Sequence, residues 1–307
     1  MPQKIFDYEN QTLVKIKTFI NNKRIIKVVE IKVSSNYFNI KDTLECGQIF
    51  RFCPYKKGYM VYSKDKCAYL FGDEENTIIR TLDADAEYFK HFFDLERDYS
   101  LIVKDGLNSG VQILERSAKI GQGIRILNQD KTETLFSFMI SQNNNIPRIK
   151  GIIEKLCNAI GEKKEFDGQS YFAFPTVQKM TEMPLEFYQS IGLGYRAKYL
   201  KSLAEELANG LDLNYFDKLS TKQLKKQLTA IYGVGPKVAD CVSLFGYHRS
   251  DSFPVDTWID KVYKQDFNGS LTDRNKISDW FVSEFSSNAG YFQQYLFYYK
   301  RNKEDKK

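Results

Sequence analysis

Two residues in the last third of the chain have side chains that could do chemistry together. Lys237 follows Gly233-Val234-Gly235-Pro236, and Asp256 stands in Pro254-Val255-Asp256, just ahead of Thr257-Trp258-Ile259. A neutral amine is a nucleophile, and a held carboxylate steadies developing positive charge. Taken singly, they read as a solvated lysine and an ordinary helix cap. Taken together, with GVGPK and PVD at this separation, they read as a nucleophile and its electrostatic partner.

The flanking residues supply the elements that would position this pair. Ser220 and Gln223 make a capping box, and Leu224, Leu228 and Ile231 then recur at helical spacing. Gly233 stops that helix, and Pro236 sits where a first helical residue tolerates a missing N–H. A second helix shows Val238, Cys241, Val242 and Phe245 on one face. The turn Gly233-Val234-Gly235 points free backbone N–H groups at one spot beside a positive helix start, an arrangement suited to a nucleic-acid phosphate. Lys237 lies in the first turn of that helix, where the helix field opposes its charge and favours the neutral amine. Asp256 is placed to N-cap a third helix.

With these motifs the chain resembles the helix-hairpin-helix DNA glycosylases that end in a Gly/Pro-rich loop and an aspartate, and within them the 8-oxoguanine glycosylases of eukaryotic type. The resemblance runs from about residue 30 to about residue 299. It implies that the lysine of GVG-x-K-VADC, here Lys237, attacks the sugar C1′ with the assistance of Asp256. SQNNNIPRIKG resembles the segment that enters the duplex: Asn143 fills the gap left by an extruded nucleotide, and Arg148 reads the orphaned cytosine. GLGYRA carries a wedge, Tyr195, and a second cytosine reader, Arg196. For the extruded base, the resemblance implies the carbonyl of Gly47 in a GQ-x-F-R-[WF] segment, Cys241 on one face, Phe297 on the other and the amide of Gln293 on the Watson–Crick edge. Without it, Gly47 reads as a strand turn, 141–145 as a capped solvated loop, and Gln293 with Phe297 as a surface amide and a core aromatic. One departure is Trp258, where the family often has a phosphate-binding histidine.

The rest of the sequence is consistent with that frame. The chain has 307 residues, 42% hydrophobic and 27% charged, the balance of a globular protein with two or three cores. Net charge is +6, compatible with a polyanionic partner. Five scattered cysteines without a CxxC pair and two histidines argue against zinc and for reduced thiols. No metal site or organic cofactor is expected, apart from a monovalent cation that family hairpins often hold through main-chain carbonyls. The start lacks an apolar leader and no run approaches membrane-spanning length, so an intracellular monomer off the membrane is expected, in the cytoplasm or nucleoid if the source is prokaryotic.

The expected fold is α+β: an antiparallel β domain, then two mainly helical domains carrying the hairpin. Residues 1–26 form an extension without a structural reading. Residues 27–125 are read as mainly β with short helices, 126–299 as the helical glycosylase region, and 300–307 as a disordered basic tail. The expected function is excision of 8-oxoguanine from duplex DNA, preferably opposite cytosine, with Schiff-base lyase activity. The alternatives are a hairpin module that only holds DNA, or a glycosylase of the superfamily with another base specificity. The iron–sulfur members usually carry four cysteines after the hairpin, whereas Cys241 is the last one here.

Overall fold

The computed structural model of the chain describes residues 4–7, 12–21 and 24–304, with side chains described from 27 to 302. Strands β1 (Lys4–Asp7), β2 (Thr12–Asn21), β3 (Arg24–Ser34), β4 (Phe52–Tyr55), β5 (Gly58–Ser63), β6 (Lys66–Gly72) and β7 (Asn76–Leu82) form one antiparallel sheet, ordered β1-β2-β3-β7-β6-β5-β4. Period-two alternation sets its register: β7 buries Thr77, Ile79 and Thr81, and Ile79 pairs with Ile31 of β3. The first 26 residues, left without a reading above, supply β1 and β2, which extend the sheet beyond β3.

Helix α1 (Ile40–Glu45), capped by Asn39, connects β3 to β4. Together with α2 (Ala86–Phe92) it covers one face of the sheet, where Leu44, Phe89 and Phe92 pack on Ile31, Val61 and Leu70. Helices α3 (Tyr99–Leu107) and α4 (Gln112–Gly121) follow. They are among the short helices expected in 27–125, and their apolar residues Tyr99, Ile102, Val103, Leu114 and Ala118 join the helical core rather than the sheet's.

That core gathers α5 (Lys131–Ser141), α6 (Ile146–Ile160), α7 (Val177–Glu182), α8 (Leu185–Ser190) and α9 (Arg196–Ala208). It continues through α10 (Thr221–Ala230), α11 (Pro236–Gly246), α12 (Thr257–Asp266), α13 (Arg274–Phe285) and α14 (Ala289–Glu304). The helical region also holds an unanticipated hairpin, β8 (Lys163–Phe166) and β9 (Gln169–Phe172). Its turn is Asp167-Gly168, both at positive φ (51° and 78°), the chemistry a two-residue hairpin demands. A further correction concerns the C-terminus. Nothing in 300–304 breaks a helix, and α14 runs on to Glu304, so only 305–307 of the expected tail lie outside the described residues. Among the described residues no helix is long and apolar enough to cross a membrane.

Buried polar groups fasten the sheet to the helices. Arg51 donates to the Phe172 carbonyl at 2.5 Å and pairs with Glu133 at 3.4 Å, while Glu133 accepts from the Lys64 N–H at 2.7 Å. Gln48, fully buried, donates to the carbonyls of Thr43 (2.9 Å) and Arg125 (2.7 Å) and accepts from the Leu127 N–H (2.9 Å). Leaving any one such partner unmet would cost about 1–3 kcal/mol. These bonds pin the turn that carries Gly47.

Candidate active site

The helix-hairpin-helix forms as its local signals require. Ser220 accepts from the Gln223 N–H and the Gln223 side chain answers on the Ser220 N–H (3.0 Å), so both ends of the capping box are made. Gly233 takes φ +86°, and a Cβ there would stand 2.3 Å from Cγ of Tyr199, so both conformation and space demand glycine. Pro236 opens α11, whose first-turn N–H groups lack intrahelical acceptors. Val238, Cys241, Val242 and Phe245 are buried, as their spacing predicts.

Lys237 lies at the mouth of a cleft of about 610 Å³, exposed, with Nζ 5.5 Å from the centre of the Phe138 ring. Asp256 lines the same cleft and N-caps α12, accepting from the N–H groups of Trp258 and Ile259, both at 2.9 Å. Burial pushes the Asp256 carboxyl above the ordinary carboxylate range. The Ile259 N–H, the Lys237 charge, the Trp258 N–H and the Arg274 charge pull it back. Burial likewise pushes the Cys241 thiol up to about 11, against the charge and hydrogen bond of Lys237 beside it. The amine is thus flanked by a capping carboxylate and a protonated thiol.

Gly47, at φ +88°, and Phe297 line the cleft with them, and a Cβ on Gly47 would stand 3.3 Å from the Phe297 ring. The helical spacing of Gln293 and Phe297 holds, but only the ring faces the cleft. Gln293 is 3% exposed; its Nε2 donates to the Pro254 carbonyl at 3.1 Å and its Oε1 accepts from Gln294 at 2.7 Å. Cys241 is equally buried, behind Lys237. For either to meet a base, the cleft wall must open.

The loop after α5 forms the opposite rim. Asn143 adopts φ +45°, a conformation asparagine tolerates, and its Nδ2 donates to the Tyr195 hydroxyl at 3.3 Å. Asn145 caps α6 by accepting from the Arg148 N–H at 3.0 Å. The Arg148 side chain is exposed and, among the described residues, its one hydrogen bond runs to the Gly192 carbonyl, at 3.4 Å. Tyr195 is half exposed and edge-on to Tyr199, which is edge-on to the exposed Tyr232, so three rings run from the loop to the hairpin.

Arg196 stands apart from its expected place. It is 4% exposed and donates to the carbonyls of Gln142 (2.7 Å from Nε, and again from Nη2), Asn143 (2.9 Å) and Leu193 (3.3 Å). Here it clamps the loop that carries Asn143, and contact with a base would require those bonds to be exchanged.

Four residues at the site went unread in the sequence. Gln142 donates to the Gly233 carbonyl at 2.9 Å, tying rim to hairpin. Arg274 lines the cleft near Asp256. Lys261 places Nζ 4.7 Å from the Trp258 ring, so a cation stands beside the tryptophan. Arg301, assigned above to the tail, lines the cleft beside Phe297. Arg274 and Lys261 offered no signal beyond charge. Gln142 stood inside a motif whose asparagines drew the attention.

Comparison with known proteins shows the family to which the chain belongs. Residues 30–135 match the 8-oxoguanine DNA glycosylase N-terminal domain, and residues 136–279 match the HhH-GPD superfamily of base excision DNA repair proteins. The N-glycosylase/DNA lyase of Saccharomyces cerevisiae is 30% identical over 271 residues, covering 78% of this chain and 71% of that protein. The N-glycosylase/DNA lyase OGG1 of Arabidopsis thaliana is 27% identical, covering 87% and 78%. The Clostridium acetobutylicum 8-oxoguanine glycosylase/lyase, solved with double-stranded DNA containing cytosine opposite 8-oxoguanine, superposes with a TM-score of 0.85 at 34% identity, covering 99% and 98%. With the two family domains matched end to end over residues 30–279 and a relative 30% identical across most of both chains, the chain belongs to the N-glycosylase/DNA lyase family of 8-oxoguanine glycosylases.

Proposed function

We propose that the chain extrudes 8-oxoguanine from duplex DNA, releases it, and nicks the strand at the resulting site. A base inside the stack keeps C1′ out of reach, so extrusion comes first. Tyr195 and Asn143, on the exposed rim, enter the space the nucleotide leaves, where a ring offsets part of the lost stacking. The Lys237 amine attacks C1′, and the C1′–N9 electron pair leaves with the base, which takes up a proton. Asp256 steadies positive charge at the sugar. The nitrogen then loses a proton and its electron pair forms a C1′=N bond while the C1′–O4′ bond breaks and O4′ takes up a proton. The opened sugar is thus held as a protonated Schiff base on Lys237, which makes the C2′ proton acidic. Removing that proton drives electrons toward C3′ and expels the 3′ phosphate. The hairpin Gly233-Val234-Gly235 binds a backbone phosphate, and its main-chain carbonyls would hold a monovalent cation, which would add positive charge beside that phosphate. Phe297, Cys241 and Gln293 hold the base once the wall opens.

The observation that carries this reading is the convergence of Lys237, Asp256, Gly47 and Phe297 on one cleft from four separate stretches of chain. In 8-oxoguanine N7 bears a proton, whereas in guanine it is an acceptor. The Gly47 carbonyl aimed at N7 therefore accepts a bond from the lesion and opposes a lone pair in guanine, a difference on the order of 2–4 kcal/mol. The test is release of 8-oxoguanine, guanine and 8-methoxyguanine from otherwise identical duplexes. Rapid release of the first alone supports the reading, and equal release of 8-oxoguanine and the methoxy base, which lacks the N7 proton, overturns the N7 contact.

The opposite strand is read by Arg148, the exposed arginine of the rim, which donates to O2 and N3 of cytosine. Arg148→Ala is expected to slow release opposite cytosine by about 1.5–3 kcal/mol, roughly 10- to 100-fold, and to narrow the preference over adenine. Single-turnover rates with cytosine and adenine opposite the lesion measure both. Arg196 contributes first by holding the loop, so Arg196→Ala is expected to weaken extrusion opposite either base. The protein acts as a monomer in this proposal, as one chain supplies every named group.

A further inference from the structure

Arg301 lies in the last turn of α14, four residues beyond Phe297 and so on the same helix face. Its Nη2 donates to the carbonyl of Glu45, the last residue of α1, capping an orphan helix carbonyl. This bond fixes the plane of the guanidinium, whose carbon lies 5.3 Å from the centre of the Phe297 ring. Its Nη1 is buried and has no hydrogen-bond partner among the described residues. The same nitrogen stands 3.6 Å from the point where a Cβ on Gly47 would be. A buried charged donor without an acceptor is rare and costly, and this one belongs to a side chain that lines the cleft of Lys237 and Asp256.

We propose that Arg301 is a base-recognition residue whose Nη1 donates to a carbonyl oxygen of the extruded 8-oxoguanine once the cleft wall has opened for the base. The inference rests on the 8-oxoguanine reading above. A purine stacked on Phe297 with N7 against the Gly47 carbonyl turns one flank of N7 toward Arg301. The groups flanking N7 are the oxygens at C6 and C8, both acceptors in the lesion. An adenine-type base instead presents an amino donor at C6, which a guanidinium opposes.

The experiment compares wild type, Arg301→Leu and Arg301→Lys in single turnover on 8-oxoguanine opposite cytosine. Nicking of a preformed abasic site, which has no base to contact, is measured in the same protein preparations. The expected result is that Arg301→Leu lowers the ratio of base release to abasic nicking roughly 10- to 100-fold. Arg301→Lys falls between, because an ammonium does not reproduce the planar fork that holds Glu45 and the base together. A general loss of structure lowers both rates and leaves the ratio alone. If Arg301→Leu does not fold, the ratio for Arg301→Lys decides. A second substrate, 2,6-diamino-8-oxopurine, replaces the C6 oxygen by an amino group. Loss of the Arg301 effect on it places the bond at the C6 oxygen, and an equal effect on both bases places it at the C8 oxygen. An unchanged ratio in both variants overturns the proposal while leaving the function intact. A wild type that nicks abasic sites yet releases no 8-oxoguanine overturns the functional reading, and this inference with it.

Discussion

Lys237→Gln is expected to bind duplex DNA containing 8-oxoguanine and to release the base slower than wild type by on the order of 10³-fold or more. Strand nicking should fall with it, because without the amine no Schiff base forms to acidify the C2′ proton. Glutamine suits the test physically. It keeps the length of the first three side-chain carbons and replaces the nucleophilic amine and its charge by a neutral amide. Removing the charge also lifts one of the influences that hold the Cys241 thiol down, so that thiol should become still harder to ionise. Binding by gel shift, together with single-turnover base release and nicking, checks the expectation. Wild-type rates in the variant would place the nucleophile elsewhere.

Asp256→Asn should lower base release by on the order of 10²–10³-fold with little loss of binding. Asparagine caps a helix about as well as aspartate, so the bonds to the Trp258 and Ile259 N–H groups survive and the fold is kept. Asp256→Ala loses charge and cap together and is expected to add about 1 kcal/mol of destabilisation to the same loss of rate. Comparing the two variants by thermal melting and by rate separates the electrostatic role from the structural one. The acid side of the pH–rate profile gives a second check. The carboxyl works ionised, and burial raises its pKa. On lowering the pH, the wild-type rate should therefore begin to fall above the range of an ordinary exposed carboxylate. Asp256→Asn should lose that limb of the profile.

How much of this was legible in the sequence depended on how local the signal was. The helix-hairpin-helix was written in adjacent residues: the Ser220 and Gln223 box, Gly233 at positive φ, and Pro236 at the helix start. The Asp256 cap was equally local. The strands β3 to β7 followed from alternation, though β3 pairs with β7 rather than with its chain neighbour β4. Strands β1 and β2 did not, because the adjacent apolar pairs Leu13-Val14 and Phe19-Ile20 blur a strict period of two. The Asp167-Gly168 turn was a readable hairpin signal, passed over amid helical surroundings. Long-range partners were not legible at all. Nothing near Arg196 in the sequence says that its donors close on Gln142 and Asn143. Nor does anything near Arg301 say that a helix carries it back to Glu45, 256 residues earlier. The family resemblance named Gln293 and Cys241 as base contacts. It could not foresee that both lie behind the wall in this conformation, the amide held by Pro254 and Gln294.

The central claim is that Lys237 makes a covalent bond to the sugar from which 8-oxoguanine has been released. Sodium borohydride reduces such a Schiff base to a stable amine, so wild-type protein incubated with an 8-oxoguanine:cytosine duplex and borohydride should cross-link to the lesion-bearing strand. Peptide mapping should place the adduct on Lys237, and Lys237→Gln should give none. Base release without any cross-link, or a cross-link that persists in Lys237→Gln, would contradict the account.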